Sequence, residues 1–180
     1  MQMKTHSITL VGTGNTGTHT SPHLARMTQV KRIILVDPDV YEESNVAVQN
    51  IDRQDIGKPK VAAQADKLRR INPLLDVTPL QERIQDVPLG KLRSDLLVSC
   101  LDSRAARQYA NQVAVRLNMQ WIDCGILGSQ NLVRVNSYAA GNDASCLECS
   151  WGLMIIRWWS RSICAVRAAG PHFPLGRPRL

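Results

Sequence analysis

The chain has 180 residues, enough for one domain with a proper core and too few for a nucleotide domain plus a full second one. Hydrophobic residues make up 44% and charged residues 21%, and the longest apolar runs, GLMII and RIILV, are far below bilayer-spanning length, which argues against a membrane protein. Five arginines and no acid lie in residues 151–180, so the first 150 residues carry only +2 of the net +7, and with no aromatic interleaving on strands a nucleic-acid face is excluded.

The N-terminus MQMKTHSITLVG runs a short apolar stretch straight into a glycine turn, which reads as a first strand and not a secretory signal, so a cytoplasmic chain is expected. Apolar runs then alternate with helix-period stretches: SITLV (strand), THTSPHLARM (helix), RIILVD (strand), KVAAQADKLRRIN (helix), LDVTPL and DLLVSC (strands), SRAARQYANQVAVRLN (helix), QWIDCG and NLVRVNSY (strands). Short apolar strands between amphipathic helices predict an α/β, Rossmann-like fold, a mostly parallel sheet with helices on both faces. Pro22 falls inside the first helical stretch, where a missing donor and a clash with the preceding turn predict a kink or a late helix start. In the second helix Val61, Ala65, Leu68 and Ile71 form one apolar stripe that Asn72-Pro73 ends.

Residues 1–150 form the patterned domain. Residues 151–180 carry three of the four tryptophans, no acid and neither helical nor strand periodicity, and read as an atypical basic tail, docking segment or out-of-frame end. Five cysteines, an odd count without export features, point to reduced thiols or a metal site; only Cys146 and Cys149, in CLEC, are closely spaced. Cys100 and Cys124, at the ends of apolar strands, read as packing residues.

The sharpest local signal is GTGNTG after the first strand. Gly12 permits the tight turn, Gly14 lets the backbone approach a phosphate, and Gly17 lets the helix pack against the sheet, while helix-start amides hold the anion. Asp37 ends the next strand, where a carboxylate accepts from ribose hydroxyls. To this point a NAD-dependent oxidoreductase and an ATP enzyme are equally served.

The stretches VDPDVYEESNVAVQNIDRQDIGKPKVAAQADKLRRINP and VSCLDSRAARQYAN separate them. Between Ser7 and Gly152 the chain resembles the superfamily of ThiF, MoeB and the ubiquitin-activating enzymes: Asp37 and Asp39 match its Asp-x-Asp, Ser44 and Asn45 its Ser-Asn pair, Gly57 to Lys60 its Gly-x-Pro-Lys, and Asp102 with Ser103 its Asp-Ser motif. The resemblance implies ATP-dependent adenylation of the C-terminal carboxylate of a ubiquitin-like or sulfur-carrier protein by a homodimer, with ATP and Mg2+. Lys60 would supply a cation to the phosphates, Asp102 would hold the magnesium, and Gly12, Gly14, Gly17, Asp37, Asp39 and Asn45 would form the nucleotide site. On residue type alone, Asp102 is equally a helix N-cap, Lys60 a solvated lysine and Asn45 a turn residue; their joint order carries the functional reading.

Three departures accompany the resemblance. Val48 stands where the family usually has a phosphate-contacting Arg, and Arg53 is the candidate substitute. The chain begins almost at its first strand, without the helical segment relatives tend to carry, and so reads as a truncated member. Relatives hold zinc with two Cys-x-x-Cys pairs; Cys146 and Cys149 match one, and Cys164 with His172 is the local candidate for completing a Zn2+ site. The alternative reading is a truncated nucleotide-binding pseudoenzyme or interaction module.

Overall fold

Within the run Ile33 to Val36, successive side chains go to opposite faces of one sheet and all are buried, which is why the sequence there is continuously apolar instead of alternating. The computed structural model describes residues 6–127, 132–141 and 146–151. Its elements, in chain order, are β1 (His6–Val11), α1 (Asn15–Arg26), β2 (Val30–Val36), α2 (Lys60–Ile71), β3 (Asp76–Leu80), β4 (Leu96–Ser99), α3 (Arg104–Leu117), β5 (Gln120–Leu127) and β6 (Leu132–Tyr138), with short 3-10 turns in the connections.

The strands form one sheet in the order β3-β2-β1-β4-β5-β6. Pairing is parallel from β3 through β5, and only β6 runs antiparallel, against β5. This is the mostly parallel, helix-covered α/β sheet that the strand–helix alternation predicts. On one face Leu24 and Ala25 of α1 and Val61, Ala65 and Leu68 of α2 pack on Leu10, Ile33 and Leu35. On the other, Ala110, Val113 and Ala114 of α3 pack on Val11, Ile34, Leu97 and Trp121. The predicted stripe of α2 is therefore core, with Ile71 packed at its margin.

Proline placement follows from hydrogen bonding. Pro79 lies in β3, an edge strand among the described residues, where a missing donor breaks no ladder on the open side. Pro22 does not delay α1, which starts at Asn15 directly after Gly14 and continues through the proline. The carbonyl of Thr18, four residues before Pro22, is the one that loses its helical donor; it accepts instead from Asn50 Nδ2 at 3.4 Å. The Asn50 amide N–H donates to Thr18 Oγ1 at 3.1 Å, and Lys67 Nζ donates to Asn50 Oδ1 at 2.7 Å, so a loop residue repairs α1 and is itself fixed from α2.

After β1 the chain moves one way to β2 and β3, then returns to place β4 on β1's other side. The strand order reverses between β1 and β4, and open α/β sheets bind ligands at the carboxyl ends of the strands beside such a reversal.

Candidate nucleotide site

A cleft of about 630 Å³ opens at that reversal, over the carboxyl ends of β1, β2 and β4. Its floor is the glycine turn. Gly12 has φ +90°, and a Cβ there would sit 2.5 Å from the Cys100 carbonyl oxygen, so only glycine allows β1 to turn this close to the end of β4. A Cβ on Gly17 would lie 1.9 Å from the Gly12 carbonyl oxygen, so this glycine seats α1 against the turn. Gly14 differs: no atom lies within 4 Å of where its Cβ would be, and its backbone faces the open cleft.

Asp37 is no surface loop residue. It is only 6% exposed, and its carboxylate accepts from the Thr13 amide at 2.6 Å and the Asp39 amide at 2.9 Å, tying the glycine turn to the end of β2. Tyr41 adds a second tie: its hydroxyl donates to the Thr13 carbonyl at 3.2 Å and accepts from Gln64 Nε2 at 3.0 Å, joining the turn to α2. Burial pushes the Tyr41 hydroxyl far above the usual phenol range, so it stays a neutral donor.

Lys60 occupies the first position of α2, where the helix dipole disfavours a cation, yet the residue is only 8% exposed. Its Nζ pairs with Asp39 Oδ2 at 3.1 Å and lies 5.9 Å from the Tyr41 ring centroid. Asp39 is largely exposed, so the pair sits at the cleft rim with room for an anion to share the ammonium. A solvated lysine would not be built this way.

Asp102 lines the same cleft as Lys60. It does not cap α3: Ser103 does, accepting from the Ala106 amide at 3.4 Å, which leaves the Asp102 carboxylate exposed and without a protein partner among the described residues. The loop carrying it is braced by Arg107, whose guanidinium donates to the Leu101 carbonyl and whose Nε lies 3.4 Å from Asp123 Oδ1. Asp123 is fully buried; its Oδ1 also accepts from the Ser99 hydroxyl at 2.7 Å, and its Oδ2 forms an ion pair with Arg134 Nη2 at 3.5 Å. Arg107 and Arg83 both line the cleft, two cations that motif reading does not reveal.

Asn45 and Arg53 are not brought to the cleft. Asn45 Oδ1 accepts from the Glu42 amide at 3.0 Å and closes a 3-10 turn, and Arg53 pairs with Glu43 at 2.7 Å on the exposed surface. Val48 is exposed. Cys100 and Cys124 do more than pack: both are half-buried and both line the cleft.

Away from the cleft, Cys146 and Cys149 flank the start of the 3-10 turn Leu147–Trp151, with their sulfurs 3.5 Å apart and the Cys146 amide donating to Cys149 Sγ at 3.4 Å. Asn111 of α3 accepts from the Leu147 amide at 3.1 Å, and Gln108 donates to Glu148 at 2.9 Å, so the turn is held on α3. Among the described residues no third metal-binding side chain joins the pair; Cys164 and His172 lie outside them, as does the tail from residue 152.

This fold and cleft have known counterparts. The pattern of the ThiF family matches residues 1–165, and the chain belongs to that family. It is 30% identical over 149 residues to the sulfur carrier protein ThiS adenylyltransferase of Escherichia coli (strain K12), covering 80% of this chain and 57% of that one. It is 28% identical over 150 residues to the molybdopterin-synthase adenylyltransferase of the same strain, covering 82% and 59%. Among solved structures, E. coli MccB with ATP superposes with a TM-score of 0.71 at 24% identity, covering 87% of this chain and 47% of that one, a likeness of fold. The chain thus spans only a little over half the length of these curated relatives. No helix among the described residues is long and apolar enough to cross a membrane.

Proposed function

We propose that this chain is an ATP-dependent adenylyltransferase acting on the C-terminal carboxylate of a ubiquitin-like or sulfur-carrier protein, working as a homodimer in the cytoplasm. The observation that carries the reading is that Lys60 and Asp102, from separate crossovers, open into the one cleft floored by the glycine turn. The names of the relatives, adenylyltransferases of sulfur-carrier and molybdopterin systems, support the same chemistry.

In the reaction a carrier carboxylate oxygen attacks the α-phosphorus of ATP, the P–O bond to pyrophosphate breaks, and an acyl adenylate forms. Negative charge grows on the phosphate oxygens, so positioned cations are the main catalytic demand. The glycine-turn amides and the start of α1 hold phosphate, with Gly14 giving backbone access and Gly12 and Gly17 fixing the turn. Asp37, held by two backbone amides, keeps acceptor capacity for ribose hydroxyls. Lys60 exchanges part of its Asp39 contact for a phosphate oxygen, and Arg107 and Arg83 make up the cation complement in place of the usual Arg at Val48. Asp102, an unpartnered carboxylate on the cleft wall, fits Mg2+, which when bound neutralises phosphate charge. Cys146 and Cys149 would give Zn2+ two of its four ligands in a structural knuckle. Asn45 and Arg53 would act here only by shaping the loop before α2.

ATP–pyrophosphate exchange in the presence of sulfur-carrier or ubiquitin-like proteins tests the reading. The wild-type chain is expected to exchange with its cognate carrier, and Lys60→Ala to lower the rate about 100-fold or more, as loss of one preorganised charge does elsewhere. ATP binding without exchange for any carrier would identify a nucleotide-binding module instead, and no ATP binding at all would remove the reading.

A further inference from the structure

Strands β4 and β5 pair in parallel with Ser99 opposite Asp123, so one step further along the register Cys100 comes opposite Cys124. Neighbouring strands lie about 4.8 Å apart, inside the span of about 4.4–6.8 Å between Cα atoms that a disulfide bridges. Both cysteines are half-buried and line the proposed nucleotide cleft, so a small solute in the cleft reaches them. We propose that Cys100 and Cys124 are a modification site, a dithiol that small hydroperoxides oxidise to a disulfide, and that this linkage weakens nucleotide binding in the cleft.

Either sulfur can begin the reaction. One thiolate of the pair attacks one oxygen of the peroxide, the O–O bond breaks, and that cysteine becomes a sulfenic acid with release of water or an alcohol. The sulfur of the other cysteine then attacks it, the S–O bond breaks, and water leaves. Two thiols lose two electrons in total, and the peroxide gains them.

The effect on the cleft follows from how tightly Cys100 is packed. Its carbonyl oxygen touches Gly12 with no room for even a Cβ, and its amide donates to the Val11 carbonyl at 2.8 Å. Asp102 is two residues further on. Linking Cys100 to β5 fixes the support of the glycine turn and the start of the Asp102 loop together, so that neither can adjust when a nucleotide's phosphates enter between them. This consequence rests on the adenylation reading; the disulfide itself does not.

The test is peroxide treatment of the full-length reduced chain, alkylation of remaining thiols, and tryptic mapping. The expected product joins the peptides 94–104 and 117–134, is reversed by dithiothreitol, and is absent from Cys124→Ser and from Cys100→Ser. Cys146 and Cys149 fall in a different peptide, 135–157, so their oxidation is read separately. Oxidation confined to Cys146–Cys149, with Cys100 and Cys124 still alkylated, would overturn the proposal, as would either Cys100 or Cys124 advancing to sulfinic acid with no linked peptide. In parallel, ATP affinity is expected to fall at least about 10-fold on oxidation, to recover on reduction, and to be equal before and after peroxide in Cys124→Ser. An unchanged affinity in a fully linked sample would refute the coupling. A reduced wild-type chain that binds no ATP would fault the adenylation reading while leaving the mapped linkage to decide this one.

Discussion

Three glycines at one-three-six spacing do three different jobs here, and substitution separates them. Gly17→Ala puts a methyl group 1.9 Å from the Gly12 carbonyl oxygen, a backbone group and not the end of a flexible side chain. Overpacking of this kind costs at least about 1–3 kcal/mol, so thermal melts should show a marked loss of stability. Gly14→Ala meets no atom within 4 Å, so it should melt as the wild type does. Its methyl instead occupies the space where a phosphate approaches the backbone, and ATP titration should show affinity reduced about 10-fold or more. Equal behaviour of the two variants in both assays would contradict the division of roles. Lys60 is the residue where local preference and position conflict most openly, a buried cation on the positive end of a helix, and such conflicts are expected at functional positions.

At the scale of elements, the loop before α2 serves α1. Asn50 supplies the donor that Pro22 withholds from Thr18, so the two residues should be energetically coupled. Asn50→Ala is expected to lower unfolding free energy by about 1–2 kcal/mol in denaturant titrations, because it leaves the buried Thr18 carbonyl without its donor and removes one of the two Asn50 oxygens that Lys67 holds. In a Pro22→Ala background, where residue 22 has its own N–H to give Thr18, the same change should cost less; strict additivity in the double-mutant cycle would show the repair to be incidental. The same logic explains why Asn45 stands outside the cleft. Its side chain is spent closing the 3-10 turn from Glu42, and Arg53 is drawn outward by Glu43.

For the molecule as a whole, the strand–helix alternation, the mostly parallel sheet with helices on both faces and the placement of Gly12, Gly14, Asp37, Lys60 and Asp102 at one crevice were legible in the sequence, because periodicity and ordered motifs are local signals. What was not legible depends on which strands become neighbours. Arg107 looks like one of several exposed helix charges until β5 brings the buried Asp123 beside it. Tyr41 and Gln64 are unremarkable in sequence, and their link between the glycine turn and α2 exists only once β1, β2 and α2 are assembled. Cys100 and Cys124 are 24 positions apart and meet only through the parallel register of β4 and β5. The late helix start expected at Pro22 does not occur, because helix-breaking is a local rule and its remedy comes from a residue 28 positions away.

The position of Lys60 has a consequence for motion. A like-charged group at the head of α2 loosens that first turn, and the carboxylate paired with it, Asp39, is mostly surrounded by water. Amide hydrogens at residues 61–63 should therefore exchange with deuterium faster than those in the middle of the helix, and slow when polyphosphate occupies the crevice, as local opening becomes linked to occupancy. The substrate would then finish folding the very turn that grips it, and exchange rates insensitive to ATP would show that the helix is already complete without it.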